Sequence, residues 1–285
     1  MSTGETIHRA VGAGRWFPGN PDRLHAEVAG YVDDAAPPPV AGRIVSVIAP
    51  HAGYAYSGKV AGYAFRAIRD SAEAGHKPET VVVLGVSHGR GFPGVALLEG
   101  SALSTPLGKA PLDMDAADIL VDASPVMNFN PVPHQGEHSA ENEVPFVQHI
   151  LPGTGMVVAL AGDHEKRTVD GLVQALCALC ERKSTVVVAS TDMLHNADYE
   201  LVSRTDRATL EKVAGMRHAE VASSWDYSNQ VFCGIAPVLA AMRFAESQGC
   251  TEGTVLYYCN SGDDFPESRG SWVVGYGAVV FAALA

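Results

Sequence analysis

Four short apolar runs punctuate the chain, at 43–49, 81–84, 156–162 and 186–189. They are continuous rather than alternating, the pattern of strands covered on both faces. Stretches with helical spacing separate them. Val60, Ala61, Ala64, Phe65 and Ile68 share one face after the first run, and Val169, Leu172, Val173, Leu176 and Leu179 share another after the third. Pro21 suits the first turn of a helix through Leu24, Val28 and Tyr31, Asp113 suits the cap of one through Leu120, and Asp198 the cap of one over 198–214. Pro145 is tolerable near the start of a helix running to Ile150. Further helices are predicted over 216–225 and within 230–247, and further strands at 92–99, 254–259 and 273–281. The segments 72–79, 104–108 and 124–136 read as turns or loops, and Pro37, Pro38 and Pro39 mark a linker. The alternation predicts a three-layer α/β/α fold with a mostly parallel central sheet, as a single domain over 1–285.

Composition narrows the function classes. The chain has 285 residues, 47% of them hydrophobic, enough for one large core, and a formal net charge of −12. That charge disfavours binding to nucleic acid or to an anionic membrane surface. Residues 1–10 lack the apolar core of a signal peptide, and no stretch is long and apolar enough to span a bilayer. With an odd count of five cysteines, this points to free thiols in a reducing cytoplasm. Cys177 and Cys180 are spaced as C-x-x-C, but they fall within a helical pattern and read as buried helix cysteines.

Candidate chemistry sits where strands end. His51 follows the first run on a loop entering a helix, His88 follows the second, and His195 follows the fourth beyond Ser190, Thr191 and Asp192. Parallel α/β proteins place ligands at this position. Together with Cys233 these histidines offer imidazole and thiolate ligands suited to iron, copper or zinc, and a three-ligand set with an open position is what metal-assisted catalysis needs. Asp192 is placed either to orient His195 or to cap the next helix. Glu137, His138 and Glu141 form a second cluster: His138 suits proton transfer, and Glu141 either a substrate contact or a helix start. Tyr54 and Tyr56 offer hydroxyls to a substrate or to the core, and Trp16 either covers a pocket mouth or staples the amino-terminal segment. G-x-S-x-G, P-loop and strand-linked G-x-G-x-x-G patterns are missing, which argues against a serine hydrolase, an NTPase and a dinucleotide enzyme.

These segments resemble one family in order and spacing. The residues are Gly14-Arg15-Trp16-Phe17, Ala49-Pro50-His51-Ala52-Gly53-Tyr54-Ala55-Tyr56-Ser57-Gly58, Leu84-Gly85-Val86-Ser87-His88, Thr105-Pro106-Leu107-Gly108, Glu137-His138-Ser139-Ala140-Glu141, Ser190-Thr191-Asp192-Met193-Leu194-His195, Cys233-Gly234 and Ser261-Gly262-Asp263. The resemblance is to the Memo family and covers nearly the whole chain. It implies a fold similar to class III extradiol dioxygenases. It also implies a metal site of His51, His88 and Cys233 holding Fe(II), copper or zinc, with His195 as acid/base, Asp192 beside it and a small molecule or peptide as partner. Family members often carry a second histidine after the His88 position, where this chain has Gly89.

Overall fold

The computed structural model describes residues 6–284; residues 1–5, half of the stretch read for a targeting signal, and Ala285 lie outside it. In chain order the strands are β1 (Ile7–Arg9), β2 (Arg43–Ala49), β3 (Thr80–Val86), β4 (Val95–Leu97), β5 (Ala102–Thr105), β6 (Gly108–Pro111), β7 (Met127–Phe129), β8 (Gly155–Ala161), β9 (Thr185–Ser190), β10 (His195–Asn196), β11 (Gly253–Asn260) and β12 (Val273–Ala283). The helices are α1 (Pro21–Asp33), α2 (Tyr54–Ser71), α3 (Met114–Ala123), α4 (Val144–Ile150), α5 (Lys166–Cys180), α6 (Tyr199–Ala214), α7 (His218–Ser223), α8 (Ile235–Ser247) and α9 (Ser261–Asp264). The three predicted helix starts form: Pro21 opens α1, and Asp113 and Asp198 cap α3 and α6 by accepting the backbone N–H groups of Ala116 and Leu201.

The main sheet is three-layered as expected, but it is mixed. Its centre, β2-β9-β3-β8, is parallel. Its flanks are antiparallel, β12 against β2 on one side and β4 against β8 on the other. The short connection from β3 to β4, residues 87–94, shows why. A parallel return needs a crossover of about a dozen residues or more. A separate small sheet, β1-β5-β6, uses the predicted 104–108 turn as its hairpin tip. The 72–79 turn begins as a π-helical extension of α2.

Alternate residues of each central strand enter opposite cores, following the two-residue repeat of a strand. Val81 and Val83 pack with Leu24, Val28, Phe65 and Phe146 of α1, α2 and α4. Val82 and Leu84 pack with Leu172, Leu176, Val238 and Phe244 of α5 and α8. Among the described residues no helix is long and apolar enough to cross a membrane.

Candidate metal centre

β9 lies between β2 and β3, with Ala49 level with Ser190 and Leu84 level with Ala189. Because the three strands are parallel, the loops leaving them emerge side by side at one sheet edge. They carry His51, His88 and the Ser190-Thr191-Asp192 turn. Cys233 arrives from the helical layer below, on the turn into α8. That turn is tied down by Cys233 N–H donating to the Asp192 carbonyl at 3.1 Å and Gly234 N–H to Thr191 Oγ1 at 2.8 Å. A Cβ at Gly234 would come within 3.1 Å of the Ser190 carbonyl, so glycine lets the turn close against β9.

One nitrogen each of His51 and His88 and the sulfur of Cys233 lie within 4.8 Å of one another. His51 Nε2 is 3.3 Å from Cys233 Sγ. Tetrahedral Zn–N and Zn–S bonds would place such a pair about 3.6 Å apart. The donor set therefore fits a thiophilic transition metal with little adjustment. The other ring nitrogens are engaged elsewhere: His51 Nδ1 is 3.0 Å from Ser190 Oγ, and His88 Nδ1 is 3.0 Å from Glu137 Oε1. Anchoring Nδ1 in this way leaves Nε2 as the atom each ring could offer a metal. Burial works against charge at each group, but mutual attraction outweighs it. The two imidazoles draw the Cys233 thiol down toward thiolate, and Cys233 with Asp192 and Glu137 raises both imidazoles.

Glu137 organises the second side. Its Oε1 accepts N–H groups from His138 at 2.9 Å and Ser139 at 2.8 Å, and its Oε2 that of His88 at 2.6 Å. Burial opposes its charge, yet His88 and these N–H groups hold its pKa down at about 2. His138 stacks flat on Trp16, with centroids 3.7 Å apart, and nearly parallel to His88 at 5.1 Å. Burial and the neighbouring His51 push the His138 pKa down to about 4, leaving it neutral. A cleft of about 740 Å³ opens beside this stack, lined by Ser87, His88, Arg90, Phe92, Val132 and His138.

Several expected roles change. Asp192 does not orient His195; its Oδ1 accepts the N–H groups of His51 at 2.8 Å and Ala52 at 3.1 Å, fixing the His51 loop. Nor does it cap α6, which Asp198 does. His195 sits at the start of β10 with its ring edge-on to Trp272, and its Nε2 is buried without a hydrogen-bond partner. Tyr54 is in the core, its hydroxyl donating to the Asn142 carbonyl at 2.7 Å, so it has no free hydroxyl for a substrate. Glu141 accepts the N–H groups of Val11 at 2.7 Å and Gly12 at 3.2 Å, and so anchors the segment that presents Trp16. Trp16 covers the imidazole stack. Both C-x-x-C cysteines are free thiols.

The residues whose supporting role the sequence did not reveal are those that hold the candidate ligands: Glu137, Ser190, Asn142 and Glu143. Asn142 donates to the His51 carbonyl at 2.5 Å, and Ser190 Oγ is 2.8 Å from Glu143 Oε1. Glu137 preceding His138 was the one visible signal. The other three lie in segments that resemble ordinary strand ends and helix starts.

Known proteins match nearly the whole length of the chain. A MEMO1 family protein of Methanopyrus kandleri is 31% identical over 94% of this chain and 96% of its own length. One from Methanothermobacter thermautotrophicus is 30% identical over 95% and 98%, and one from Nitrosopumilus maritimus 28% over 96% and 99%. The family model described as Memo-like protein matches residues 8–280, from the first small-sheet strand through the whole His/His/Cys cluster to the last strand of the main sheet. With the cluster's supporting loops all inside that match, the chain belongs to the Memo-like protein family.

Proposed function

We propose that this protein is a metal-dependent oxidoreductase acting on a small molecule, with His51, His88 and Cys233 holding a non-haem metal, Fe(II) by preference and copper or zinc as the alternatives. The observation that carries this reading is the convergence of two Nε2 atoms and one thiolate beside an open cleft, with both Nδ1 atoms anchored. The cleft volume falls in the range of about 300–1,000 Å³ typical of small-molecule sites, which favours a small substrate over a peptide. Once bound, iron or copper would supply Lewis acidity and a one-electron couple, and zinc Lewis acidity alone.

The protein's own groups do the rest. Neutral His138, shielded by Trp16 and backed by Glu137, is placed to accept a proton at the cleft wall. His195, with an unengaged Nε2, is the second candidate for moving a proton. Arg90 brings positive charge to the cleft lining of an acidic chain.

Metal analysis of protein purified without chelator tests the site. Wild type should carry stoichiometric metal, and His51→Ala and Cys233→Ala should not. Oxygen uptake by anaerobically Fe(II)-loaded protein on a catechol panel tests the chemistry. Ester or amide cleavage without oxygen would replace it with metal-assisted hydrolysis, and metal-free purified protein that also refuses added Fe(II), Cu and Zn would end the reading.

A further inference from the structure

A serine hydroxyl has one proton to donate and two lone pairs to offer. Ser190 Oγ has three partners beside the cluster: the Ser139 carbonyl at 2.5 Å, Glu143 Oε1 at 2.8 Å and His51 Nδ1 at 3.0 Å. The carbonyl can only accept, and it is the closest, so the single Ser190 proton points to it. The other two contacts meet lone pairs, and each must supply its own proton. Nδ1 of His51 therefore carries hydrogen, and so does the carboxyl of Glu143.

The surroundings of Glu143 agree independently. It is 0% exposed, and its other oxygen, Oε2, is buried with no hydrogen-bond partner. No Arg or Lys pairs with it among the described residues. Burial is the largest effect and, with Asp192, pushes its pKa up to about 8 against the opposing pull of the Ser190 contact and of His51. An ionised carboxylate left in this position would lack the partners a buried charge requires.

We infer that Glu143 is a positioning residue: as a neutral acid it donates to Ser190 Oγ, holds that hydroxyl in place as the acceptor of His51 Nδ1–H, and so keeps Nε2 the atom of His51 that is aimed at the Cys233 sulfur. The consequence for metal affinity rests on the reading given under Proposed function. The placement of the proton does not.

Two measurements test this on the full chain. The first is the infrared difference spectrum, at pH 7 and without metal, of wild type minus Glu143→Gln. It should show the carbonyl stretch of a protonated carboxylic acid, and carboxylate bands in its place overturn the inference. The second is the zinc affinity, with zinc as probe, of wild type, Glu143→Gln, Glu143→Leu and Ser190→Ala. Gln can still donate through its amide and should stay within about twofold of wild type. Leu and Ala break the chain of donors and should weaken zinc by about 10-fold or more, the usual penalty for losing a group that orients a ligand. Equal losses for Gln and Leu, or none for Leu, overturn it. If Leu fails to fold, the Gln and Ser190→Ala arms decide. Wild type that binds no zinc would refute the metal reading, and the infrared result would still decide where the proton sits.

Discussion

Asp206 lies on α6 beneath the connection that carries His195, and it is fully buried. Its Oδ1 accepts Leu194 N–H at 3.2 Å, and its Oδ2 accepts the Tyr258 hydroxyl at 3.0 Å. No cation pairs with it among the described residues, and a Cβ on Gly275 would sit 1.7 Å from Oδ2, so the pocket is closed on that side too. Burial raises its pKa from 3.8 to about 7, against the two hydrogen bonds that favour the charge. The folded state therefore binds this proton more tightly than the unfolded chain does. The stability it lends is complete below about pH 4 and is lost as pH rises toward 7. A rise of that size corresponds to about 4 kcal/mol at most. Asp206→Asn keeps an acceptor for Leu194 and cannot ionise. Urea unfolding of both proteins from pH 4 to 8 should show wild type losing ground steadily against the variant as pH rises. Titrations of Glu141 and Glu143 cancel in that difference. A gap between the two curves that stays constant over the whole range would refute the reasoning.

Three further outcomes follow from the geometry. Glu137→Gln should weaken metal binding by about 10-fold, measured by competition with a chromophoric chelator, because one amide cannot replace a carboxylate that accepts from His88 Nδ1 and three backbone N–H groups. Glu141→Ala should free the Val11 and Gly12 N–H groups, lowering stability by about 1–3 kcal/mol and shifting Trp16 fluorescence as the stack on His138 loosens. Gly85→Ala should cost roughly 1–3 kcal/mol in chemical denaturation, since its Cβ would meet Ser139 Oγ at 2.5 Å and Ala140 N at 2.7 Å where the 137–143 loop crosses β3.

The order of strands and helices was legible in the chain because each central strand is a continuous apolar run and the long helices carry an apolar stripe, with a side-chain cap as well at α1, α3 and α6. Those are local properties, set by burial on two faces for a strand and one for a helix. The positions of His51 and His88 at strand ends were legible for the same reason. What local pattern could not reveal was which strands are neighbours. That β9 lies between β2 and β3 is decided by long-range packing, and it brings Ser190 and Asp192 between the two histidines. Asp192 illustrates the limit: three residues before His195 in sequence, its carboxylate is spent on two N–H groups of a loop more than a hundred residues away. Tyr54 and Glu141 were ambiguous between substrate and scaffold because a hydroxyl or carboxylate looks the same in sequence whether its partner is a ligand or a backbone group. Sequence alone thus determined the layers and the types of the candidate ligands. Only the tertiary structure decided the antiparallel flanks, the meeting of Cys233 with His51, and the hydrogen bonds that anchor each Nδ1, because these depend on contacts between segments that no local period encodes.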